Sequence, residues 1–312
     1  MNEPYRPLTD QENKHLATYK KKCAIVRDKV RAAVGGTKLG ALIYGEGGIG
    51  KSFQVESVFK ESGVKPVLTN SHISTRGLVD LLDKNRDAVH FMEDIETIFQ
   101  EKSAFGFLRS AMWGQKDENG EMRRTATWVL HDKETRIPFT GKIIVTANCA
   151  LDDLPELRAL ATRIVPYHFR ANRGELLAMM KTLCNAGYGP YKGVALTPEQ
   201  CFEVFDFYLA HVPEKRHHDL RILEHGFWDR IDEANGVLKE TTWQEQFLAE
   251  ILKGEDPPVT RKVRIRNERE IALELYGLYE EKKLTHAEMH QRWEELTGHA
   301  SVDSLYRRLR GK

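Results

Sequence analysis

The sequence predicts an α/β protein in which a parallel sheet is covered by helices on both faces. Over residues 35–170, short apolar stretches alternate with segments of helical spacing, the order that parallel strands and crossover helices require. A glycine-rich turn follows the first apolar stretch, at residues 45–50. From residue 171 onward we find helical spacing only, so we expect a second, all-helical part.

The individual elements follow from local patterns. Residues 11–34 predict a charged, weakly amphipathic helix, and Gly35 and Gly36 mark its end. Two segments around a polar turn, residues 125–132 and 134–141, are predicted to form a hairpin. Short apolar runs bounded by turn residues predict four strands, at residues 39–45, 64–70, 88–96 and 141–148.

These elements divide the chain into five parts. After residue 170, four helical segments separated by turn residues form a predicted lid, and a basic, proline-containing stretch follows. We therefore expect an N-terminal helix (1–34), an α/β domain (35–170), a helical lid (171–254), a linker (255–266) and a small helical module (267–312).

Composition limits the classes of function. The chain has 312 residues, 41% of them hydrophobic, and a net charge of +1, so any affinity for nucleic acid must come from a local patch. Four cysteines lack the spacing of a disulfide framework or a zinc site. No apolar run is long enough for a signal peptide or a membrane span, so we expect a cytoplasmic protein without a membrane partner.

A phosphate-binding loop is the most specific motif. Residues 45–52 read Gly-Glu-Gly-Gly-Ile-Gly-Lys-Ser and match G-x-x-x-x-G-K-[ST] between a predicted strand and a predicted helix. Glycines let successive backbone N–H groups face phosphates, and the helix N-terminus adds its positive end. Lys51 would reach the outer phosphates, and Ser52 would bind Mg²⁺. The predicted contacts to ATP are Gly45, Gly47, Gly48, Ile49, Gly50, Lys51, Ser52 and Phe53.

Two acids follow the third predicted strand. Val89–Met92 leads into Glu93 and Asp94, at the strand end where parallel sheets place ligand groups. One carboxylate, with Glu93 as the candidate metal ligand, would hold Mg²⁺, and the other would orient the attacking water.

With these motifs the chain resembles the AAA+ superfamily of ATPases over about residues 35–250. The phosphate loop resembles Walker A, and HFMEDIE resembles Walker B, although the family usually has Asp before Glu there. This resemblance implies hydrolysis of ATP between subunits of a ring or filament. The reversed order of Glu93 and Asp94 leaves open a slower enzyme, or a nucleotide-dependent scaffold with little turnover.

The resemblance also implies roles for single residues. IIVTAN ends in Asn148 and resembles the sensor-1 strand, whose polar tip positions the attacking water. LPELRALATRI resembles the segment with an arginine finger, so that Arg163, or less favourably Arg158, would reach a neighbouring subunit's γ-phosphate. HHDLRILEHGF resembles sensor 2, with Arg221 facing the bound nucleotide.

The C-terminal module resembles a helix-turn-helix. Thr285 and Glu288 form a capping-box pattern, and a turn at residues 297–300 precedes a last helix at 301–310. Residues 257–312 hold twelve Lys and Arg against nine Asp and Glu. A packing or oligomerisation module is the alternative. The predicted DNA contacts on the last helix are Arg307, Arg308 and Arg310.

Two further basic segments are candidates for binding DNA. The predicted hairpin begins near Arg123 and Arg124, and the loop after the second strand carries Arg76 but no aromatic residue, which favours nucleic acid over polypeptide threading. An ordinary solvated loop is the alternative.

The sequence thus predicts a DNA-acting AAA+ ATPase that assembles with itself. Replication initiation, helicase loading and transposition regulation are the roles considered, in a phage, plasmid or transposon setting by resemblance, with a helicase, transposase or other replication protein as partner. The alternatives are a DNA helicase similar to superfamily 3, which carries acidic pairs of mixed order, and a protein-remodelling chaperone.

Overall fold

The protein consists of two compact units, Met1–Ile251 and Leu252–Lys312, in the computed structural model. The structure describes residues 6–70, 73–95, 98, 101–116, 122–130, 133–148, 163–189, 194–213, 216–253, 261–280, 283–297, 305–306 and 309.

The first unit contains eight helices and eight strands among its described residues. Helices α1 to α8 are Asp10–Val34, Lys51–Ser62, Thr75–Lys84, Lys102–Ala111, Arg173–Ala186, Pro198–His211, Leu220–Ala234 and Trp243–Leu252. Strands β1 to β8 are Gly40–Tyr44, Val67–Thr69, Val89–Glu93, Gly114–Lys116, Met122–Leu130, Lys133–Pro138, Lys142–Ala147 and Val165–His168. None of the described helices is both long and apolar enough to cross a lipid bilayer.

A parallel sheet with flanking helices forms the centre of the first unit, which confirms the predicted fold class. Within the described residues the sheet has five strands in the order β2-β3-β7-β1-β8. All five residues of β1 are buried, as expected for a strand with helices on both faces. One face packs against α3 and α4, and the other against α1 and α2. The four predicted strands are β1, β2, β3 and β7.

Strand β8 was not predicted from the sequence. It is four residues long, and Pro166 at its second position cannot donate a hydrogen bond to a neighbouring strand. Among the described strands it lies at the sheet edge and pairs with β1, so Leu42 faces Pro166 in register. An edge position tolerates the missing donor, but the local sequence does not reveal that position.

The predicted hairpin is present beside the parallel sheet. Strands β5 and β6 pair antiparallel, with Thr127 opposite Arg136, and the short strand β4 adds to β5. Ala126 and Ile137 turn inward from this hairpin into the core below α4.

The four helices predicted to form the lid are α5 to α8. Capping boxes start α5 and α6: Asn172 pairs with Glu175, and Thr197 pairs with Gln200. Their inward faces form a separate apolar core around Phe202, Phe227 and Phe247, among others. Among the described residues of this region, the isolated bridge between Tyr188 and Leu196 is extended pairing that the sequence did not predict.

The second unit contains two long described helices, α9 (Arg261–Glu280) and α10 (His286–Thr297). The predicted capping box at the start of α10 is confirmed, because Thr285 and Glu288 exchange hydrogen bonds between side chain and backbone. Leu275, Met289 and Trp293 are buried between these helices.

The prediction of a linker over residues 255–266 is wrong for its last six residues. Helix α9 begins at Arg261, because the segment after the two prolines is rich in good helix formers.

We expect Gly226→Ala to destabilise the first unit by about 1–3 kcal/mol. An added Cβ at Gly226 in α7 would lie 2.6 Å from Val204 Cγ1 and 2.7 Å from the Phe247 ring. Chemical denaturation measures the change. Gly106→Ala in α4 is the matched control, because nothing lies within 4 Å of its added Cβ. The free energy of unfolding of Gly106→Ala should rise by roughly 0.5–1 kcal/mol from helix propensity. Equal changes in the free energy of unfolding of the two variants would contradict the close packing at Gly226.

Candidate functional site

The predicted phosphate loop, residues 45–52, is a tight turn between β1 and α2. Three of its glycines have positive φ, with values of 145° at Gly45, 67° at Gly48 and 89° at Gly50. An added Cβ at Gly48 would lie 1.7 Å from a carboxylate oxygen of Asp219. Glycine is therefore required at Gly48 both by the backbone and by a neighbour that comes from the lid helices.

Lys51 is the buried cation of this loop. Only 4% of its surface is exposed, and its Nζ donates to the carbonyl oxygens of Gly45 at 3.0 Å and Glu46 at 2.5 Å. It also donates to the side-chain oxygen of Asn148 at 2.8 Å. The loop lysine and the predicted sensor-1 residue, 97 positions apart, therefore lie in direct contact.

The sheet order explains this contact. Strand β7 lies between β1 and β3, with Tyr44 opposite Ala147 on one side and Glu93 opposite Thr146 on the other. Because the strands are parallel, the phosphate loop, Asn148 and the two acids all follow carboxyl ends at one edge of the sheet. The structure thus brings together the sequence-predicted motifs of the nucleotide site.

The two acids differ in environment. Glu93 is the half-buried last residue of β3, and Asp94 is exposed. Asp94 has a φ of 49°, a left-handed conformation that Asp tolerates better than most residues, and its N–H donates to Thr146 at 3.2 Å. The backbone therefore leaves the extended conformation of β3 between the two acids.

Ser52, Glu93 and Thr146 carry oxygen atoms of the kind that Mg²⁺ prefers. Burial and the negative charge of Glu93 raise the pKa of Glu56, which lies one helical turn after Ser52. The hydroxyl of Thr146, in register with Glu93, is buried without a hydrogen-bond partner in the described part of the chain. Hydroxyl and carboxylate oxygens fit a hard cation, which takes its other ligands from phosphates and water. Ser52 and Glu93 are the residues that fit the metal.

A cavity of about 390 Å³ adjoins the phosphate loop. Its wall is formed by the loop, by α1 and by the lid helices, and Phe53 contributes a ring that is 69% exposed. Apolar and aromatic side chains alternate with a few polar groups, as in sites for small organic ligands. Its lining includes Lys51, Ser52, Tyr19, Tyr188, Leu220, Arg221, Glu224 and Phe227.

Arg221 is exposed and lines this cavity from the second position of α7. The preceding N-cap, Asp219, accepts a hydrogen bond from the Arg221 N–H at 2.7 Å. The Leu220 N–H donates to the Gly48 carbonyl at 3.0 Å, so the start of α7 touches the phosphate loop. The structure therefore brings Arg221 to the same cavity as Lys51.

Arg163 lies at the amino ends of the parallel strands, opposite the end that carries the phosphate loop. It precedes β8, whose four residues span about 13 Å and run parallel to β1 toward the phosphate loop. Its guanidinium lies 4.9 Å from the ring centre of Trp113, a side chain that is about half exposed. Burial and the nearby charge of Arg109 lower its pKa. Arg158 falls outside the described residues.

The predicted DNA contacts have different outcomes. Arg124 is wrong as a contact, because it is buried and donates to the carbonyls of Gly141 and Ala111. Arg76 is exposed, pairs with Asp80 and lies over the Trp128 ring of the hairpin. The side chain of Arg123, and Arg307, Arg308 and Arg310 entirely, lie outside the described residues.

Sequence reasoning missed several residues of the site. Tyr19 lies on α1 and Tyr188 follows the end of α5; both are far from the motifs in sequence, so no local signal marks them. Glu56 had a usable signal, since it follows Ser52 at i+4 on one helix.

Comparison with known proteins identifies no family. No family model matches the sequence, and no curated protein matches it either. Among solved structures, the chain is similar to the Orc1 protein of Aeropyrum pernix, determined in complex with DNA. The identity is 14%, the match covers 94% of this chain and 82% of that chain, and the TM-score is 0.48. So distant a likeness adds no argument about function.

We expect Glu93→Gln to lower the pKa of Glu56, because the variant removes the negative charge that opposes ionisation of the Glu56 carboxyl. The pKa should stay above its ordinary value, since burial is the larger cause. A pH titration of the carboxyl ¹³C signals measures it. Glu61→Gln is the control on the same helix, because Glu61 pairs with Arg31. If the pKa of Glu56 were the same in Glu93→Gln as in the unaltered chain, the two acids would not lie close together.

Proposed function

We propose that this protein is a magnesium-dependent ATPase of the AAA+ type, which hydrolyses ATP between subunits and acts on DNA. One observation carries the ATPase part: the buried Lys51 ammonium contacts both its own loop and Asn148, beside a cavity that Arg221 also lines. This arrangement fits a triphosphate whose base and sugar occupy the cavity.

The proposed chemistry assigns one task to each residue. The amides of residues 45–52 bind the outer phosphates, and the Lys51 ammonium exchanges one of its acceptors for a phosphate oxygen. Together they neutralise the charge that develops during transfer. Ser52 and Glu93 would hold Mg²⁺, which supplies further charge neutralisation when bound. Asp94, exposed beyond the turn, accepts the proton of the attacking water, and Asn148 orients that water by hydrogen bonding.

The position of Arg163 favours action on a neighbouring subunit. It precedes β8 at the amino end of the sheet, and an arginine side chain does not reach across the strand length of about 13 Å to the phosphate loop of its own chain. A guanidinium that contacts the γ-phosphate from there must belong to another copy. A head-to-tail contact of this kind produces a ring or a filament.

Action on DNA is supported by the second unit. Its compact core around Trp293 and its capped α10 fit the predicted helix-turn-helix, and its segment from residue 257 has an excess of basic residues. We infer that the unit binds DNA while the ATPase unit assembles. The roles we favour are replication initiation, helicase loading or transposition regulation.

A second candidate function is a helicase similar to superfamily 3. The contact of Arg76 on α3 with Trp128 on the hairpin favours this candidate. The contact combines a cation and an aromatic ring, as in sites that stack single-stranded bases. Strand unwinding that is lost in Trp128→Ala would support this candidate. ATPase activity raised by a protein partner and indifferent to DNA would favour a remodelling chaperone instead.

Arg163→Ala should retain ATP affinity within about twofold and lose roughly 10³-fold or more in turnover, the usual loss for a missing arginine finger. Lys51→Ala should lose ATP binding itself, because the phosphates lose their buried cation. Equilibrium binding of fluorescent ATP and phosphate release measure the two effects separately.

Mixing these two inactive variants tests the intersubunit assignment. An equal mixture should recover about a quarter of the interfaces, since an intact pocket then meets an intact arginine by chance. Arg86→Ala is the control for loss of an exposed arginine at the same end of the sheet, because Arg86 precedes β3 and pairs locally with Asp83. Full turnover in Arg163→Ala, or no recovery on mixing, would exclude Arg163 as a finger in trans.

A chain that ends at Lys253 should keep basal ATP hydrolysis and lose its stimulation by DNA. The truncation removes nearly all of the second unit and leaves the first intact. Stimulation of the full chain should also fall steeply with salt, because phosphate contacts release counterions. ATPase assays with and without DNA, at two ionic strengths, measure both effects. Undiminished stimulation in the truncated chain would place the DNA contacts in the first unit.

A further inference from the structure

Helix α1 reaches the phosphate loop through one side chain. Tyr19 is 3% exposed, and its hydroxyl donates to the carbonyl oxygen of Ile49 at 3.0 Å. The ring packs against Phe169, with ring centres 5.9 Å apart. A buried, packed tyrosine has few alternative rotamers, so its hydroxyl holds the carbonyl in one place.

This bond fixes the direction of a neighbouring N–H. In a trans peptide the C=O and the next N–H point to opposite sides, so an Ile49 carbonyl turned toward α1 turns the Gly50 N–H away from it. Gly50 has a φ of 89°, and an added Cβ there would lie 2.9 Å from the Tyr19 oxygen. The hydroxyl therefore restrains the peptide between Ile49 and Gly50, which immediately precedes Lys51.

The same helix is bonded to the lid. Lys22, one turn after Tyr19, contacts both carboxylate oxygens of Glu175 at 2.7 and 2.8 Å, and Glu175 is 2% exposed. Nearer the start of α1, Glu12 pairs with Lys181 at 3.1 Å. Both lid partners lie on α5, so α1 is attached along the length of that helix.

Three contacts thus form a closed circuit. Tyr19 joins α1 to the phosphate loop, Leu220 joins the loop to α7 of the lid, and Lys22 joins the lid back to α1. The first two bonds hold consecutive carbonyls, those of Gly48 and Ile49. A displacement of the lid therefore acts on the phosphate loop along two routes.

We propose that Tyr19 is a positioning residue for the phosphate loop and that α1 couples the conformation of this loop to the lid. The proposal rests on the function proposed above. It assigns to α1, which contains none of the recognised motifs, control over the affinity for the phosphate part of ATP.

Tyr19→Phe tests the first half, because it keeps the packed ring and removes only the hydroxyl. ATP affinity should fall about tenfold, which corresponds to about 1.4 kcal/mol, while adenosine, which has no phosphates, should change less than about twofold. Tyr167→Phe is the matched control, since Tyr167 stacks on the same Phe169 from β8. Equal losses for ATP and adenosine would mean a general structural effect and would overturn the proposal.

Hydrogen exchange of the nucleotide-free chain gives a readout that does not require ATP. Amides of residues 48–51 should exchange at least about fivefold faster in Tyr19→Phe than in Tyr167→Phe. Unchanged exchange and unchanged ATP affinity would overturn the role of Tyr19. Should the unaltered chain fail to bind ATP, the proposed function fails, and the exchange comparison still decides whether Tyr19 restrains the loop.

A double-mutant cycle tests the coupling to the lid. Lys22→Met removes the bond to Glu175, and combined with Tyr19→Phe it should weaken ATP binding by less than the product of the two single effects. Arg31→Met is the control, because Arg31 pairs with Glu61 on α2 and not with the lid. Independent effects of Lys22→Met and Tyr19→Phe would show that α1 does not couple the two elements.

Discussion

The burial of the Lys51 ammonium is the constraint on which the site depends. A cation that is 4% exposed must be surrounded by acceptors, because an unpaired charge in that position would cost several kcal/mol. The carbonyls of Gly45 and Glu46 meet this need only if the loop curls around the lysine. The third acceptor, Asn148, ties the curl to the middle of the sheet.

The register of β7 extends this constraint across the sheet. Because β7 pairs with β1 and β3 at once, the residues that end the three strands meet at one edge. A slip of one residue would turn every side chain of β7 to the other face, and would separate Thr146 from Glu93. The buried Ile143, Ile144 and Val145 oppose such a slip, so the apolar core also sets the geometry of the polar edge.

Local patterns predicted the strands, the hairpin, the lid helices and the phosphate loop, because each depends on neighbours within a few residues. What they could not predict depends on distant contacts. Arg124 has the charge of a DNA contact, but its burial under α4 is decided by the tertiary fold. Likewise, no local pattern predicts the hydrogen bond of Tyr19 to Ile49, 30 residues away. Pro166 argues against a strand, and only the edge position of β8 makes it compatible with one.

The separation of Arg163 from the phosphate loop of its own chain affects how many complete catalytic sites an assembly contains. If the arginine completes a neighbour's pocket, every head-to-tail junction makes one competent catalytic unit. An open chain of subunits then has one incomplete pocket at one end and one unused arginine at the other, whereas a closed ring has neither. Turnover per subunit would therefore rise with length in a filament and stay constant once a ring has closed.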